Sequence, residues 1–513
     1  MRLTQLLSVL PEAPPYDGPD VEITSITYDS RRVQPGALFV AIWHPGYSAD
    51  GHRFAGDAIR RGASAVVVQR PVEVPPEGAG VPVIQVPHTP SALGWLAAGL
   101  YGLPSSRLGL AGVTGTDGKT TTCTMLAAIL EAAGFRPGMV STVASQVAGK
   151  WRENRAHTST PEAPEIQALL AETVAAGGRR AVVEATSHAL AQDRLAGCEL
   201  DVAVVTRVTH EHLDFHGTYE NYIAAKARLL DLLRPDPRHP KTEPVAKAAI
   251  LNADDSSFGY MAARAPVPIV RYAVRGEAEV KALGLEEEAW ETRCRLVSPW
   301  GEGALRLPLP GSFNVYNALA ALAAACTLGA PFEVARDALA AFRGVPGRMQ
   351  RIDAGQPFTV IVDFAHTPDA LAQVLQHLRR RTSGRLICVF GSAGERDRAK
   401  RPMQGRVAAE LCDYFVLTDE DPRLEDREQI IDEIARGALA AGAIEGHNFA
   451  RVPDRRAAIA AALRRAQPGD TVLLAGKGHE RSIIGAVDGR LQAFPWDERA
   501  VALEELRKLG YSG

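Results

Sequence analysis

Hydrophobic positions along the chain gather into short continuous runs, each followed by polar, glycine-rich sequence. In the first 100 residues these runs are GALFVAIW, ASAVVVQR and VPVIQVP, with one helix candidate, HRFAGDAIRRGA. Pro and Gly punctuate this stretch, as in RPVEVPPEGAGVPV, which predicts a compact α/β module with many loops. From residue 101 the runs LGLAGVTG, RRAVVEAT, DVAVVTRV and AKAAILNADD read as buried strands. TTTCTMLAAILEAAG and TYENYIAAKARLLDLL read as helices, the first closed by Gly134. Beyond FRGVPGRMQ, the runs FTVIVDFAH, GRLICVFGS, CDYFVLTDE and DTVLLAGKG predict four more strands with helices between them. Apolar strands alternating with helices mean mostly parallel sheets covered on both faces. The fold class expected is therefore α/β, in three domains spanning 1–100, 101–343 and 344–513.

Length agrees, since 513 residues fit about three domains of roughly 150 each. Hydrophobic residues at 46% and charged residues at 23% exclude a disordered chain, a collagen and a disulfide scaffold. The net charge of -3 leaves no global field to draw the chain to nucleic acid or to an anionic membrane. Aromatic residues, only 6%, argue against a base-stacking platform. Cys123, Cys198, Cys294, Cys326, Cys388 and Cys412 are scattered with no CxxC pair, which suits a reduced chain and no zinc ribbon. The opening MRLTQLLSVLPEAPPYDG reaches Pro and Glu too soon for a signal peptide. No run of about 18 apolar residues is present to span a membrane.

The chemistry-bearing residues sit just after strands, where open parallel sheets bind ligands. GVTGTDGKTTT leads from a strand through Gly115 and Gly118 to Lys119, Thr120 and a helix. Glycines let the backbone wrap a phosphate, and the helix N-terminus favours the anion. Lys119 can bridge the outer phosphates and the Thr120 hydroxyl can reach Mg²⁺. The spacing departs from GxxxxGK[ST], because position 113 is Val. Glu184 ends one strand and His212 follows the next, a pair able to hold a second Mg²⁺. The plain alternatives are a salt-bridged loop acid and a backbone-bonded loop histidine. His212 and His216 are four apart, yet HExxH is not formed and Gly217 breaks the helix, so no catalytic zinc is expected. Lys226 lies on the helix TYENYIAAKARLLDLL, where a solvated lysine is the default.

Taken together and in order, the motifs resemble the Mur ligase family, and within it the UDP-N-acetylmuramoyl-tripeptide synthetases. The resemblance rests on YDSRRVQPGALFVAI, TGTDGKTTT, STPEAPEIQALL, EATSHALAQDRL, HLDFHGTYENYIAAKARLL, NADDSS, PGSFNVYNALAA, GVPGRMQRID, VDFAHTPDAL, GSAGERDRAKRPM, DEDPR and AGKGHE. It implies a first domain for the UDP end of the substrate and a second for ATP. A third, Rossmann-like domain would hold the incoming amino acid. The implied reaction is an ATP-dependent amide ligation through an acyl phosphate, in the bacterial cytoplasm. The partners would be UDP-N-acetylmuramoyl-L-Ala-D-Glu, ATP and a diamino acid, with Mg²⁺ as cofactor. A monomer is expected, without nucleic acid or membrane.

The resemblance also implies residue roles. Gly115, Thr116, Asp117, Gly118, Lys119, Thr120 and Thr121 would cradle the phosphates, with Lys119 on the β/γ-phosphates and Thr120 on the first Mg²⁺. Glu184 and His212 would ligate the second Mg²⁺, together with Lys226 carbamylated by CO₂. Asn317 would contact adenine, Asp363 the ribose and Arg348 the γ-phosphate, with His366 in the same nucleotide-facing loop. Ser30 would meet the uracil side, and Ser159, Thr160, Thr186, Ser187, Gln192 and Arg194 the muramoyl peptide. The family more often has Ser at 186, often Asn where Arg207 stands, and a shorter loop at 43–50.

Arg396, Asp421, Arg423, Gly476 and Glu480 match the amino-acid pocket. Members taking meso-diaminopimelate read DNPR, whereas this chain reads EDPR. Arg423 could fork onto a distal carboxylate, favouring meso-diaminopimelate. Asp421 is an acceptor-only anion that favours the ammonium of L-lysine or L-ornithine. A third arrangement pairs Arg423 with Asp421. Residue types alone leave these open, with meso-diaminopimelate ahead. Two other functions are weighed: a related amide ligase with a different acceptor, and a non-catalytic nucleotide-binding module. The substrate motifs argue against the first, and intact Lys119, Thr120, Glu184, His212 and Lys226 against the second.

Overall fold

The structure, a computed structural model, describes residues 1–511 apart from 46, 48, 154–158, 210, 244 and 289. The chain divides into two compact units, Met1–Phe342 and Arg343–Gly513.

The first unit contains two sheets. Strands β1 (Ser25–Thr27), β2 (Ala37–Val40), β3 (Ala65–Val68) and β4 (Val83–Gln85) pair in parallel and in chain order. Helix Thr89–Leu100 packs on this sheet through Leu93 and Leu96. The same helix meets the segment after residue 190 so closely that a Cβ on Gly94 would lie 2.4 Å from the Ala196 carbonyl oxygen. The expected helix at 52–63 begins as a 3-10 turn, Gly51–Phe54, and becomes α-helical over Ala55–Arg60.

The second sheet is built on β5 (Gly109–Thr114), β6 (Gly138–Val140), β7 (Ala144–Val147), β8 (Lys150–Glu153), β9 (Arg180–Glu184), β10 (Val202–Val205), β11 (Ala248–Asn252) and β12 (Ile269–Ala273). A meander of β13 (Val280–Glu287), β14 (Thr292–Ser298) and β15 (Gly301–Leu307) completes it. The order is β15-β14-β13-β12-β11-β10-β5-β9-β6-β7-β8. The middle of the sheet is parallel and the hairpins at both edges are antiparallel. From β5 the chain moves out to β6 on one side; from β9 it crosses to β10 on the other. That reversal opens a crevice at the carboxyl end of β5, the place for a ligand in such a sheet. β5, β9, β10 and β11 are buried along their whole length, which explains why they read as unbroken apolar runs. In β14, by contrast, Thr292, Cys294 and Leu296 are buried while Arg293 and Arg295 face water. This two-residue alternation marks a strand with one wet face, a pattern outside the continuous runs.

The second unit has β16 (Gln350–Ile352), β17 (Thr359–Asp363), β18 (Leu386–Phe390), β19 (Tyr414–Leu417), β20 (Phe449–Arg451) and β21 (Thr471–Ala475). Their order is β16-β17-β21-β18-β19-β20, parallel except for β16 on β17. Hairpin β22 (Ser482–Val487) and β23 (Arg490–Pro495) stands apart. Arg455 and Glu498, both fully buried, form an ion pair of 2.6 Å. The same guanidinium donates to the carbonyls of Asp419 at 2.9 Å and Ala475 at 2.7 Å. It thereby ties together the loops leaving β19 and β21.

Candidate active site

In the first unit the loop after β5 turns through Gly115 (φ 149°) and Gly118 (φ 84°) into the helix Lys119–Ala132. Only glycine takes the Gly118 conformation cheaply, and a Cβ there would lie 2.3 Å from Asn317 Oδ1. Asn317, buried on helix Ser312–Thr327, thus packs directly on the loop, with its amide 3.4 Å from Asn314 Oδ1. The backbone of Arg207 pairs with Asp117, and Thr206 Oγ1 donates to the Asp117 carbonyl at 2.6 Å. What residue 207 supplies here is main chain, which any side chain could accompany.

Lys119 Nζ folds back onto the carbonyls of Gly115, at 2.9 Å, and Thr116, at 2.6 Å. Beneath it, Thr120 Oγ1 donates to Glu184 at 3.0 and 3.1 Å. Thr142 also bonds that carboxylate, through its N–H at 2.9 Å and its hydroxyl at 2.7 Å. Glu184 is buried, and the plain alternative of a salt-bridged loop acid does not describe it. Thr121 is buried in the first turn of the helix. These hydroxyl and carboxylate oxygens suit Mg²⁺, which takes few protein ligands and completes its shell with phosphates and water. No group of three or more His, Cys, Asp or Glu side chains able to hold a metal ion occurs among the described residues. The six cysteines are free.

Lys226 is not on a solvated face. It is 1% exposed, and its Nζ donates to the Gly115 carbonyl at 2.7 Å, so both lysines converge on one oxygen. Burial, and then the charge of Lys119, push the Lys226 amine well below the ordinary lysine range. The ring of Tyr222, one turn earlier, lies 4.5 Å from its nitrogen. The Tyr222 hydroxyl is 2.8 Å from Thr116 Oγ1 and donates to Glu211 at 3.3 Å. His212 takes a left-handed conformation (φ 54°), 3.6 Å from Glu211 and edge-on to His188 at 4.7 Å. His216 lies beside Tyr222, with 5.4 Å between ring centres. His210 falls outside the described residues.

The muramoyl-peptide candidates cluster around the end of β9. Thr160 Oγ1 donates to the Glu184 carbonyl at 2.7 Å and accepts from the Thr186 N–H at 3.1 Å. Thr186 caps helix Ser187–Ala191 by accepting from the Ala189 N–H. A threonine does this as a serine would. The Ser187 hydroxyl is buried without a hydrogen-bond partner. Arg194 donates to the Thr160 carbonyl at 2.7 Å and to Gln192 Oε1 at 2.6 Å, and pairs with Glu162 at 3.0 Å. Ser159 is half-buried beside them. Ser30 is buried in the 3-10 turn of the first sheet's domain. That domain reaches the cluster through Tyr28, whose hydroxyl donates to Glu165 at 3.3 Å, and Tyr47, whose hydroxyl donates to Glu162 at 3.1 Å.

In the second unit the candidates occupy loops at the carboxyl edge of the sheet. Asp363, ending β17, accepts from the N–H of Met349 at 2.7 Å and of Ala365 at 2.8 Å. Arg348 lies over the ring of Phe364 at 4.4 Å, with its buried Nε unpartnered. His366 Nδ1 is 2.9 Å from the Phe364 carbonyl. Arg396 is exposed after β18. Asp421 accepts from Lys477 Nζ and from the Ile484 N–H, both at 2.8 Å. The ion pair that Asp421 makes is therefore with Lys477, and Lys477 also pairs with Glu480 at 2.6 Å. Arg423 (φ 56°) has a buried Nε with no partner. Gly476 (φ 103°) brings its backbone against Glu420, whose buried Oε2 lacks a partner and whose carboxyl burial pushes up. Glu480 is likewise pushed up by burial, against the pull of Lys477.

Thr142, Tyr222, Glu211, Lys477 and Glu420 escape a reading by motif spacing. Tyr222 precedes Lys226 by one helical turn, and Lys477 and Glu420 sit inside the quoted AGKGHE and DEDPR, so the signals were present as neighbours.

A phosphate loop on a central parallel strand, with a buried acid at the next strand end, defines a nucleotide-binding α/β protein. Three family models match the chain: "Mur ligase family, catalytic domain" over residues 22–101, "Mur ligase middle domain" over 113–325, and "Mur ligase, glutamate ligase domain" over 347–478. The chain belongs to the Mur ligase family. It is similar to a UDP-N-acetylmuramyl-tripeptide synthetase of Roseiflexus sp., at 48% identity over 522 residues covering 100% of both chains. It is also similar to a UDP-N-acetylmuramoyl-L-alanyl-D-glutamate--2,6-diaminopimelate ligase of Bacillus licheniformis, at 39% identity over 99% of this chain and 100% of that one. A solved structure of a ligase with that same name matches with TM-score 0.67 and 31% identity, covering 100% of each chain. No helix among the described residues is long and apolar enough to cross a membrane.

Proposed function

We propose that the chain is an ADP-forming ligase that adds a diamino acid to UDP-N-acetylmuramoyl-L-Ala-D-Glu in peptidoglycan precursor synthesis, in the bacterial cytoplasm. The observation that carries this reading is the pair Lys119 and Lys226, both directed at the Gly115 carbonyl of the phosphate loop. A carboxylate is a poor acyl donor, and bringing it to a triphosphate sets anion against anion. The D-Glu side-chain carboxylate oxygen attacks the γ-phosphorus, the bond to the bridging oxygen of ADP breaks, and an acyl phosphate forms. The amine of the diamino acid adds to the acyl carbon. The tetrahedral intermediate then sheds a proton and expels phosphate.

Lys119 and the helix N-terminus stabilise the phosphates, and Asn317 holds the adenine side. Mg²⁺, when bound, neutralises phosphate charge; Thr120 would hold the first ion, and Glu184, His212 and the carbamylated Lys226 the second. Lys226 fits a carbamate, because a depressed amine is neutral and adds to CO₂, losing a proton to become an anion. Arg348, Asp363 and His366 complete the nucleotide contacts. Ser30, Ser159, Thr160, Thr186, Ser187, Gln192 and Arg194 take the UDP-muramoyl dipeptide. The enzyme works as a monomer on small molecules.

Arg396, Arg423, Gly476 and Glu480 receive the third residue, and meso-diaminopimelate is the reading favoured here. Lys477 cancels the charge of Asp421, while Arg423 keeps an unpartnered buried donor for a distal carboxylate. The unpartnered Glu420 oxygen supports a second reading, a terminal ammonium from L-lysine or L-ornithine. Phosphate release by the purified protein with ATP, Mg²⁺, bicarbonate and the UDP-dipeptide tests this, with each amino acid in a separate tube and product masses read. Turnover with meso-diaminopimelate alone is expected. Turnover with lysine or ornithine alone selects the second reading, and none with any of the three overturns the tripeptide ligase.

A further inference from the structure

The segment between helix Ser187–Ala191 and β10 carries Gln192 and Arg194, and the residue between them, Asp193, has no part in the function proposed above. Its backbone is left-handed (φ 55°), a conformation that glycine, asparagine and aspartate adopt more readily than other residues. Its carboxylate meets two separate helical elements and acts electrostatically on a third segment. The Arg228 guanidinium donates to Asp193 Oδ1, and also to the Ala191 carbonyl at 3.1 Å. Arg228 stands on helix Tyr219–Asp231, two residues beyond Lys226. His88 Nδ1, which caps helix Thr89–Leu100, lies 3.3 Å from Asp193 Oδ2. The charge of Asp193 also acts on His44, in the long loop after β2.

Leu190, Leu195 and Cys198 anchor this segment in the core of the first unit, but Asp193 stands outside that packing. A cavity of about 380 Å³ opens there, walled by Trp95, Leu190, Leu195 and Cys198, with Asp193 and Arg228 at its edge. A left-handed turn at the rim of an open cavity keeps its shape through polar ties, and Asp193 provides them. Arg194 in turn donates to Thr160 and Gln192, so the tie continues to the end of β9.

We propose that Asp193 is a positioning residue that locks the muramoyl-peptide segment to the Lys226 helix and to the first domain's helix, and so sets affinity for the UDP-linked substrate. This rests on the reading of Gln192 and Arg194 as substrate contacts. Asp193 itself need not touch the substrate.

The test is steady-state kinetics of the full chain with Asp193→Asn, Arg228→Gln and the double variant, varying the UDP-dipeptide and ATP in turn. Asparagine keeps the shape and tolerates the left-handed backbone, so only the charge is lost. The expected result is a rise of about tenfold in KM for the UDP-dipeptide, with kcat and the KM for ATP within about twofold. The double variant should be no worse than the poorer single one, because both remove one tie. Thermal midpoints within about 2 °C of the parent exclude general unfolding as the cause. An unchanged KM for the UDP-dipeptide, a proportional rise for ATP, or additive single effects overturns the proposal. Failure of the ligase reading looks different: the parent chain itself would not turn over.

Discussion

Lys226 and Lys477 are both buried lysines at the carboxyl edge of a parallel sheet, one in each unit, and their surroundings differ. Lys226 meets a carbonyl, a tyrosine ring and a second lysine. Lys477 meets two carboxylates, Asp421 and Glu480, and its amine is held above the ordinary lysine range despite burial. Burial alone does not decide whether a lysine is charged; the groups that share its pocket do. One site disfavours the charged amine, while the other keeps a cation that organises acids.

Breaking the first lysine should have the larger effect on catalysis. Lys226→Ala is expected to lower kcat by about 100- to 1,000-fold, the scale of losing one preorganised electrostatic group. Lys226→Arg should do the same, since a guanidinium does not lose its proton to accept CO₂. Phosphate-release kinetics check both, and mass spectrometry of the native parent chain should show the added CO₂. Activity of Lys226→Arg near the parent's would sink the carbamate.

Breaking the second should act on stability. Lys477→Met strands Asp421 and Glu480 in a buried site, at a cost of about 3–5 kcal/mol. Urea unfolding measures it, and a loss below about 1 kcal/mol would show that water already reaches the pair.

The contrast also predicts opposite pH slopes. The Lys226 amine is depressed in the folded chain, so the unfolded chain binds more protons between that folded value and 10.5. Stability attributable to Lys226 therefore rises with pH through this window. Lys477 is raised, so its contribution is complete below 10.5 and is lost as pH climbs through the folded value. Unfolding free energies of Lys226→Met and Lys477→Met against the parent, from about pH 7 to about pH 11, should diverge with these signs. Parallel curves would refute the contrast.

The smallest effect is expected from Asp421→Asn. Lys477 keeps Glu480, and the pocket loses one negative charge, so kcat/KM should shift by about two- to fivefold toward an amino acid with a distal carboxylate. A shift toward L-lysine would mean that Asp421 does not attract the ammonium end of the amino acid.

Much of this was legible in residue order. The runs that became β5, β9, β10, β11, β17, β18, β19 and β21 are buried on both faces, and such strands announce themselves without knowledge of their neighbours. The phosphate loop was legible because Gly118 must be glycine to take its turn. The meander β13–β15 was not, because a half-wet strand such as Thr292–Ser298 scatters arginines among its apolar residues. Thr142 was not, because its only distinction is to reach Glu184 across 42 positions. Arg207 looked like a side-chain question and proved to concern the backbone.

By itself, the sequence determined the alternation of strand and helix, the glycines at forced turns, and the set of chemical groups that follow each strand. Those depend on local periodicity and backbone sterics, which act within a few residues. Tertiary structure alone decided the state of those groups. Lys226 meets Gly115 over a separation of 111 residues, and Asp421 meets Lys477 over 56. A lysine has the same chemistry wherever it stands in the chain. Its proton is set by the field and solvent it finds after folding, and that field is assembled from residues distant in sequence.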